Sequence, residues 1–211
     1  MNPLDIIHQE ETFVVVNKPS GLLAVPGRGP DMQDCVVNRL KSIFPQCMEQ
    51  PAVHRLDMDT SGLLLLALDK GTHRTLSIQF EKRLVEKTYV AIVEGIVLGN
   101  SGEIELAFRL DPDNRPHQVY DPVQGKVGVS RWRKLSTLDG CTRIEFSPLT
   151  GRTHQLRLHA AHELGLGFPI VGDRLYGTGN APGQLKLHAS FLAFDHPQSG
   201  ARLNFAVPPG F

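Results

Sequence analysis

The chain has 211 residues, 41% hydrophobic and 21% charged, and its 22 basic side chains balance 22 acidic ones. That describes an ordinary soluble globular protein, long enough for a substantial core in one domain or two closely joined lobes. The longest apolar run, residues 63–68, is far short of the roughly 20 residues that cross a bilayer, so no membrane partner is expected.

In chain order, Thr12, Phe13, Val14, Val15 and Val16 predict a strand that ends in the turn Asn17-Lys18-Pro19-Ser20-Gly21. A second short strand is expected over residues 22–25, stopped by Pro26-Gly27. Asp34 is placed to cap a helix whose apolar positions Val36, Val37, Leu40, Ile43 and Phe44 follow the helical period, with Pro45 ending it. Four consecutive leucines, Leu63 to Leu66, suit a strand covered on both faces. Residues 70–83 read as a helix and 88–93 as a strand. Further strands are expected over residues 103–108, 127–135, 141–146, 185–194 and 203–207. Residues 111–122 read as a loop, and 153–164 as a helix closed by Gly165. Strands and helices without strict βαβ alternation predict an α+β fold on a mixed sheet. No internal repeat and no flexible linker divides residues 1–211, so one domain is expected.

Cys35, Cys47 and Cys141 are odd in number and widely spaced, and the start, MNPLDIIHQEE, lacks the basic-then-apolar layout of an export signal. Both features suit a reducing, cytoplasmic location. Basic residues gather between Lys126 and Arg157 (Lys126, Arg131, Arg133, Lys134, Arg143, Arg152, Arg157), opposed there by Asp139 and Glu145 alone. Such a stretch is either a phosphate-binding face or an ordinary solvated strand face; charge alone does not separate the two.

Chemistry concentrates in His54-Arg55-Leu56-Asp57-Met58-Asp59-Thr60-Ser61-Gly62, directly before the leucine strand. An Asp anchored at a strand edge beside a cation is a candidate nucleophile or base; equally, these polar residues could do no more than bond a turn. A calcium loop is disfavoured because Leu68 stands where its twelfth-position carboxylate belongs. A haloacid-dehalogenase-like phosphatase using Asp57 and Asp59 needs its strand before the first Asp, not after it. His154, His159, His162 and Glu163 hint at a metal, but their order H-x-x-H-E matches neither zinc-helix motif, so no metal is expected. Gly151 allows close backbone approach. Arg152 falls at the expected start of a helix, where the dipole disfavours a cation, so a carboxylate partner is expected and Asp57 would suit.

HRLDMDTSGLLLLA resembles the signature of the RluA-type pseudouridine synthases. Residues 15–22 (VVNKPSGL), 87–91 (KTYVA), 149–159 (LTGRTHQLRLH), 172–177 (GDRLYG) and 187–189 (LHA) resemble its companion motifs in the same order. The resemblance implies a mainly antiparallel sheet with flanking helices and a central active-site cleft. It implies isomerisation of specific uridines in stem-loops of ribosomal or transfer RNA, with Asp57 as the essential carboxylate and Arg152 as its cationic partner. Tyr89 would stack on the base, Leu156 would contact it from the other side, and Arg55 would face the substrate. The shortness is similar to family members that lack a small RNA-binding domain in front and act on both RNA types. No cofactor is implied, since the reaction involves neither redox change nor an added group. A monomer is expected. The competing classes are the phosphatase and a non-catalytic RNA-binding module.

Overall fold

A computed structural model describes residues 4–211. Its elements run β1 (Asp5–Gln9), β2 (Phe13–Lys18), α1 (Val36–Ile43), β3 (Ser61–Ala67), α2 (Lys70–Glu81), β4 (Glu86–Val93), β5 (Ser101–Leu110), β6 (Gln118–Tyr120), β7 (Lys126–Leu138), β8 (Cys141–Pro148), α3 (Gln155–Ala161), β9 (Leu187–Asp195) and β10 (Arg202–Ala206). The described chain divides into two compact units: residues up to Lys87 with Ala189–Gly210, and Thr88–His188 with Phe211. The fold is mixed and mainly antiparallel, as expected. The reading of the extreme N-terminus as carrying no export signal includes residues 1–3, which lie outside the described residues.

In the first unit, β2 lies between β1 and β3, antiparallel to both, with Val15 opposite Leu65. Phe13, Val15, Leu63, Leu65 and Ala67 point to one side and join Leu76 of α2, Leu192 and Phe194 in a core. Val14, Val16, Leu64 and Leu66 point the other way and are equally inaccessible. Burying a leucine contributes about 2 kcal/mol, against at most about 1 kcal/mol for an exposed ion pair. The four-leucine strand is therefore the principal anchor of the polar loop before it. Gly62 begins that strand with φ +109, and a Cβ there would lie 2.3 Å from the Ala189 carbonyl oxygen. Any side chain at this position would push β3 away from β9.

The second unit is an antiparallel sheet in the order β4-β8-β7-β5-β6. Along β5, Ile104, Leu106 and Phe108 face inward while Glu103 and Glu105 face out, and along β8 Thr142, Ile144 and Phe146 do the same. The β7–β8 hairpin turns through Asp139 and Gly140, both at positive φ (50 and 76), as a two-residue connection matched to strand twist requires. Helix α3 is buried from Gln155 to Ala160, with Leu156, Leu158 and Ala160 in the core.

Several expectations shift. Residues 22–25 form no strand, only a parallel bridge from Leu23 to Cys35, because the Leu22 carbonyl is taken by the Lys18 ammonium at 2.7 Å. The cap of α1 is Cys35, whose sulfur accepts from the Asn38 N–H, while Asp34 instead receives Arg39 at 2.7 Å. β1 was not anticipated: its alternate residues are exposed, so its pattern is weak. The expected loop 111–122 contains the short β6, held against Phe108, Arg109 and Leu110. Helix α3 is shorter than residues 153–164. His154 adopts a left-handed conformation at its start, and Gly165 packs so tightly on its end that a Cβ would lie 2.0 Å from the His159 carbonyl oxygen.

Burial pushes the His159 imidazole down to about 4 and that of His54 down to about 3. Among the described residues neither ring nitrogen of His159 has a hydrogen-bond partner. Both groups stay neutral in the fold while the unfolded chain takes up protons near the ordinary value of about 6.5. Below that pH the unfolded state binds more protons, so stability falls with falling pH until the folded values are reached. The urea midpoint is expected to drop between pH 6.5 and 4, and less steeply in His159→Leu. A midpoint constant from pH 7 to 5 would remove these two histidines from the account.

Candidate active site

Arg55 and Asp57 share one loop of the first unit; Tyr89, Arg152 and Leu156 belong to the second. In the first, the Thr60 N–H donates to the Asp57 carbonyl at 3.1 Å, closing a turn over Met58 and Asp59. The NKPSG segment holds that turn. Lys18 Nζ donates to Met58 O at 2.9 Å, Gly21 N–H to Met58 O at 3.0 Å, and the Ser20 hydroxyl to Asp59 O. Lys18 completes its three donors on the Pro19 and Leu22 carbonyls, at 3.0 and 2.7 Å. Its side chain is fully buried, and desolvation pushes its ammonium down to about 7 against the pull of Asp57 and Asp59. On the near side of the loop, His54 Nε2 accepts the Leu65 N–H at 3.0 Å and its ring stacks on Phe80 at 4.5 Å.

The loop is thus pinned at both ends to the leucine strand and to the NKPSG turn. The bonds from Lys18, Gly21 and Ser20 to this loop end on the backbone carbonyls of Met58 and Asp59. Asp57 is half-buried, Asp59 and Thr60 are buried, and Arg55 is exposed. Sequence reasoning took NKPSG for a turn ending a strand. A usable signal existed: period 2 places Lys18 on the same buried face as Val14 and Val16.

In the second unit, Tyr89 lies opposite Phe146, half-buried and packed against the core. Leu156 is buried in the first turn of α3. Arg152 is exposed but does not begin a helix; it precedes α3 by three residues, so the dipole argument for a compensating carboxylate does not apply to it. Its N–H donates to Gln155 Oε1 at 3.0 Å, and its Nε lies 3.5 Å from the Val127 carbonyl. Gln155 also accepts the Thr150 hydroxyl at 2.6 Å, which ties the TGR segment to the helix start.

Part of the basic stretch is paired within this unit. Arg131 pairs with Glu103 at 3.1 Å and Arg133 with Glu145 at 2.7 Å, and Arg143 donates to the Phe211 carbonyl oxygen at 2.8 Å. Arg157 is buried and bidentate on Asp173, at 2.6 and 2.8 Å. Burial pushes the Asp173 carboxyl up, but Arg157 and the Leu175 and Tyr176 N–H groups outweigh it and hold the group below the usual carboxylate range. No role for Asp173 was visible in its local sequence.

Among the described residues no three His, Cys, Asp or Glu side chains form a metal-ligating group. The histidines that suggested one diverge: His154 meets the Tyr176 hydroxyl, His159 an edge of Phe108, and His162 the Tyr120 ring. The strand adjoining the Asp57 loop follows it rather than preceding it, which is not the phosphatase layout.

The RNA pseudouridylate synthase family model matches residues 12–162, a span that includes every candidate residue above. The chain belongs to that family and is an RNA pseudouridine synthase of the RluA type, an isomerase that converts uridine in structured RNA to pseudouridine. It is 44% identical over 212 residues to the dual-specificity RNA pseudouridine synthase RluA of Pasteurella multocida, covering 99% of this chain and 94% of that one. Against RluA of Yersinia pestis the identity is 42%, over 98% and 99% of the two chains. Among solved structures, human RNA pseudouridylate synthase domain containing 1 superposes with a TM-score of 0.78 at 29% identity, covering 100% of this chain and 87% of that one. Human RNA pseudouridylate synthase domain containing 4 gives 0.75 at 27%, covering 97% and 88%. No described helix is long and apolar enough to cross a membrane.

Proposed function

We propose that this synthase modifies uridines in stem-loops of large-subunit ribosomal RNA, transfer RNA or both, acting as a cytoplasmic monomer with residues 1–211 as one catalytic domain. Asp57 is the essential carboxylate. Arg152 belongs with the substrate-binding residues, Tyr89 and Leu156 contact the uracil, and Arg55 faces the RNA. The observation that supports the role of Asp57 is the scaffold of its turn: a buried lysine, a serine and a glycine N–H all grip backbone carbonyls. A turn held in this way presents its side chain from a fixed backbone, which is what reaction at a single glycosidic bond demands. The dual specificity in the name of the bacterial RluA relatives supports action on more than one RNA.

A base stacked in a duplex can be neither detached nor turned, so the target nucleotide must swing out. That costs a few kcal/mol and least in a loop, which favours stem-loops over perfect duplex. The reaction rearranges one nucleotide without redox change or added group, so the proposal needs no cofactor.

Isomerisation must expel the hydrogen on carbon five of uracil. Transcripts of large-subunit ribosomal RNA and of transfer-RNA anticodon stem-loops, tritiated at that carbon, are expected to release label, and a perfect duplex is not. Release from neither stem-loop class would end this assignment of substrates.

A further inference from the structure

Three segments of the second unit meet at the Tyr176 hydroxyl. It accepts the Gln118 N–H of β6 at 2.8 Å, and His154 Nδ1 lies 2.9 Å away. A tyrosine hydroxyl that accepts from an N–H keeps its own proton to give, and Nδ1 is placed to receive it. The same two loops are tied a second time by the His117 ring, whose Nε2 lies 3.0 Å from the Leu175 carbonyl.

His154 occupies a backbone conformation, φ 56 and ψ 17, that bulky L residues rarely adopt. Such a residue persists only where its surroundings hold it. The restraint here is a closed circuit. Arg157 of α3 is bidentate on Asp173. Asp173 accepts the Tyr176 N–H at 3.1 Å, and the Tyr176 ring lies 5.4 Å from the Arg157 guanidinium. The Tyr176 hydroxyl then returns to His154, the residue on which α3 begins. Arg152 lies two residues before that turn and Leu156 two after it.

We propose that Tyr176 and His154 are positioning residues for isomerisation: their hydrogen bond holds the left-handed turn that sets Arg152 and Leu156, and the same oxygen fixes the edge of the loop 111–120. This rests on the roles given above to Arg152 and Leu156. Neither Tyr176 nor His154 need touch the RNA for the effect to appear.

The test is a double-mutant cycle read as single-turnover tritium release at saturating enzyme, with RNA affinity and thermal unfolding measured on the same samples. Tyr176→Phe keeps the ring and removes one oxygen. It is expected to slow the chemical step about tenfold, since small misplacements of reacting groups cost that much or more, with RNA affinity within about twofold and a melting temperature lowered by no more than about 4 °C. Arg152→Ala is expected to be slow by itself, and adding Tyr176→Phe to it to cost less than it does in the parent, because part of its effect runs through that guanidinium. His154→Asn tolerates the left-handed turn and is expected to be faster than His154→Ala. Arg133→Ala, whose guanidinium pairs at the surface with Glu145, serves as the silent control.

A fully active Tyr176→Phe beside a slow Arg152→Ala would overturn the positioning role alone. So would losses that multiply in the double variant, or a rate loss that merely tracks a fall in melting temperature. An Arg152→Ala enzyme as fast as the parent would instead overturn the reading of Arg152. Should Tyr176→Phe fold poorly, the two His154 variants decide: equal rates for Asn and Ala would refute the proposal.

Discussion

Asp57→Asn is expected to lower the isomerisation rate by more than about 10³-fold, the upper part of what a positioned acid, base or nucleophile supplies, while RNA affinity stays within a few-fold. The variant should fold. The turn that presents Asp57 closes through the backbone, from the Thr60 N–H to the Asp57 carbonyl. Its outer grips, from Lys18, Ser20 and Gly21, reach the carbonyls of Met58 and Asp59. None of these bonds uses the carboxylate, so the amide replaces charge and basicity and leaves the scaffold standing. One electrostatic side effect is foreseen: Lys18 loses part of the attraction that offsets its desolvation. Tritium release and fluorescence anisotropy with a labelled stem-loop read the two quantities separately. Appreciable residual turnover would mean that Asp57 has been given the wrong role.

Asp173→Ala is expected to be the most damaging single change to stability, at about 3–5 kcal/mol, because it leaves the Arg157 charge buried without its partner. That is a large share of the roughly 5–15 kcal/mol by which a domain is stable. Two further bonds disappear with the carboxylate, those from the Leu175 and Tyr176 N–H groups at 2.9 and 3.1 Å. The contrast with Arg131→Ala is instructive. That arginine also has an acidic partner, Glu103, but both lie at the surface, where such pairs contribute at most about 1 kcal/mol. Urea unfolding of the two variants tests the difference. A shift for Asp173→Ala no larger than for Arg131→Ala would show that the buried pair adds nothing. Replacing both members together, as Arg157→Met with Asp173→Leu, should recover much of the loss, since the dominant cost is the stranded charge rather than the missing attraction.

The elements legible in the chain were those with a strong period. The run Val14 to Val16, the four leucines, and the alternation Ile104, Leu106, Phe108 each specify a strand, because side chains two apart share a face. Boundaries were read less well. Asp34 matched the cap pattern, yet its carboxylate is engaged by Arg39 five residues on and the cap passes to Cys35. β6 is three residues long, too short to show a period, and exists because β5 offers it an open edge. The expected helix over residues 153–164 loses its first turn to His154, whose left-handed conformation depends on a tyrosine 22 residues away.

The same division runs through the chemistry. Motif residues such as Asp57, Tyr89 and Arg152 could be named from the order of short segments along the chain. Hydrophobic patterning likewise pointed to an α+β fold on a mixed sheet, while its mainly antiparallel character was implied by the family resemblance. Other features were decided only by tertiary structure. Lys18 becomes a buried clamp on the Asp57 turn. Arg131 and Arg133 become paired surface groups, on Glu103 and Glu145. Arg157 and Asp173 become the base of a circuit that ends at His154. The physical reason is common to all three: local sequence specifies which face a side chain occupies, but its charge, hydrogen-bond partners and hydration depend on groups brought there by distant parts of the chain.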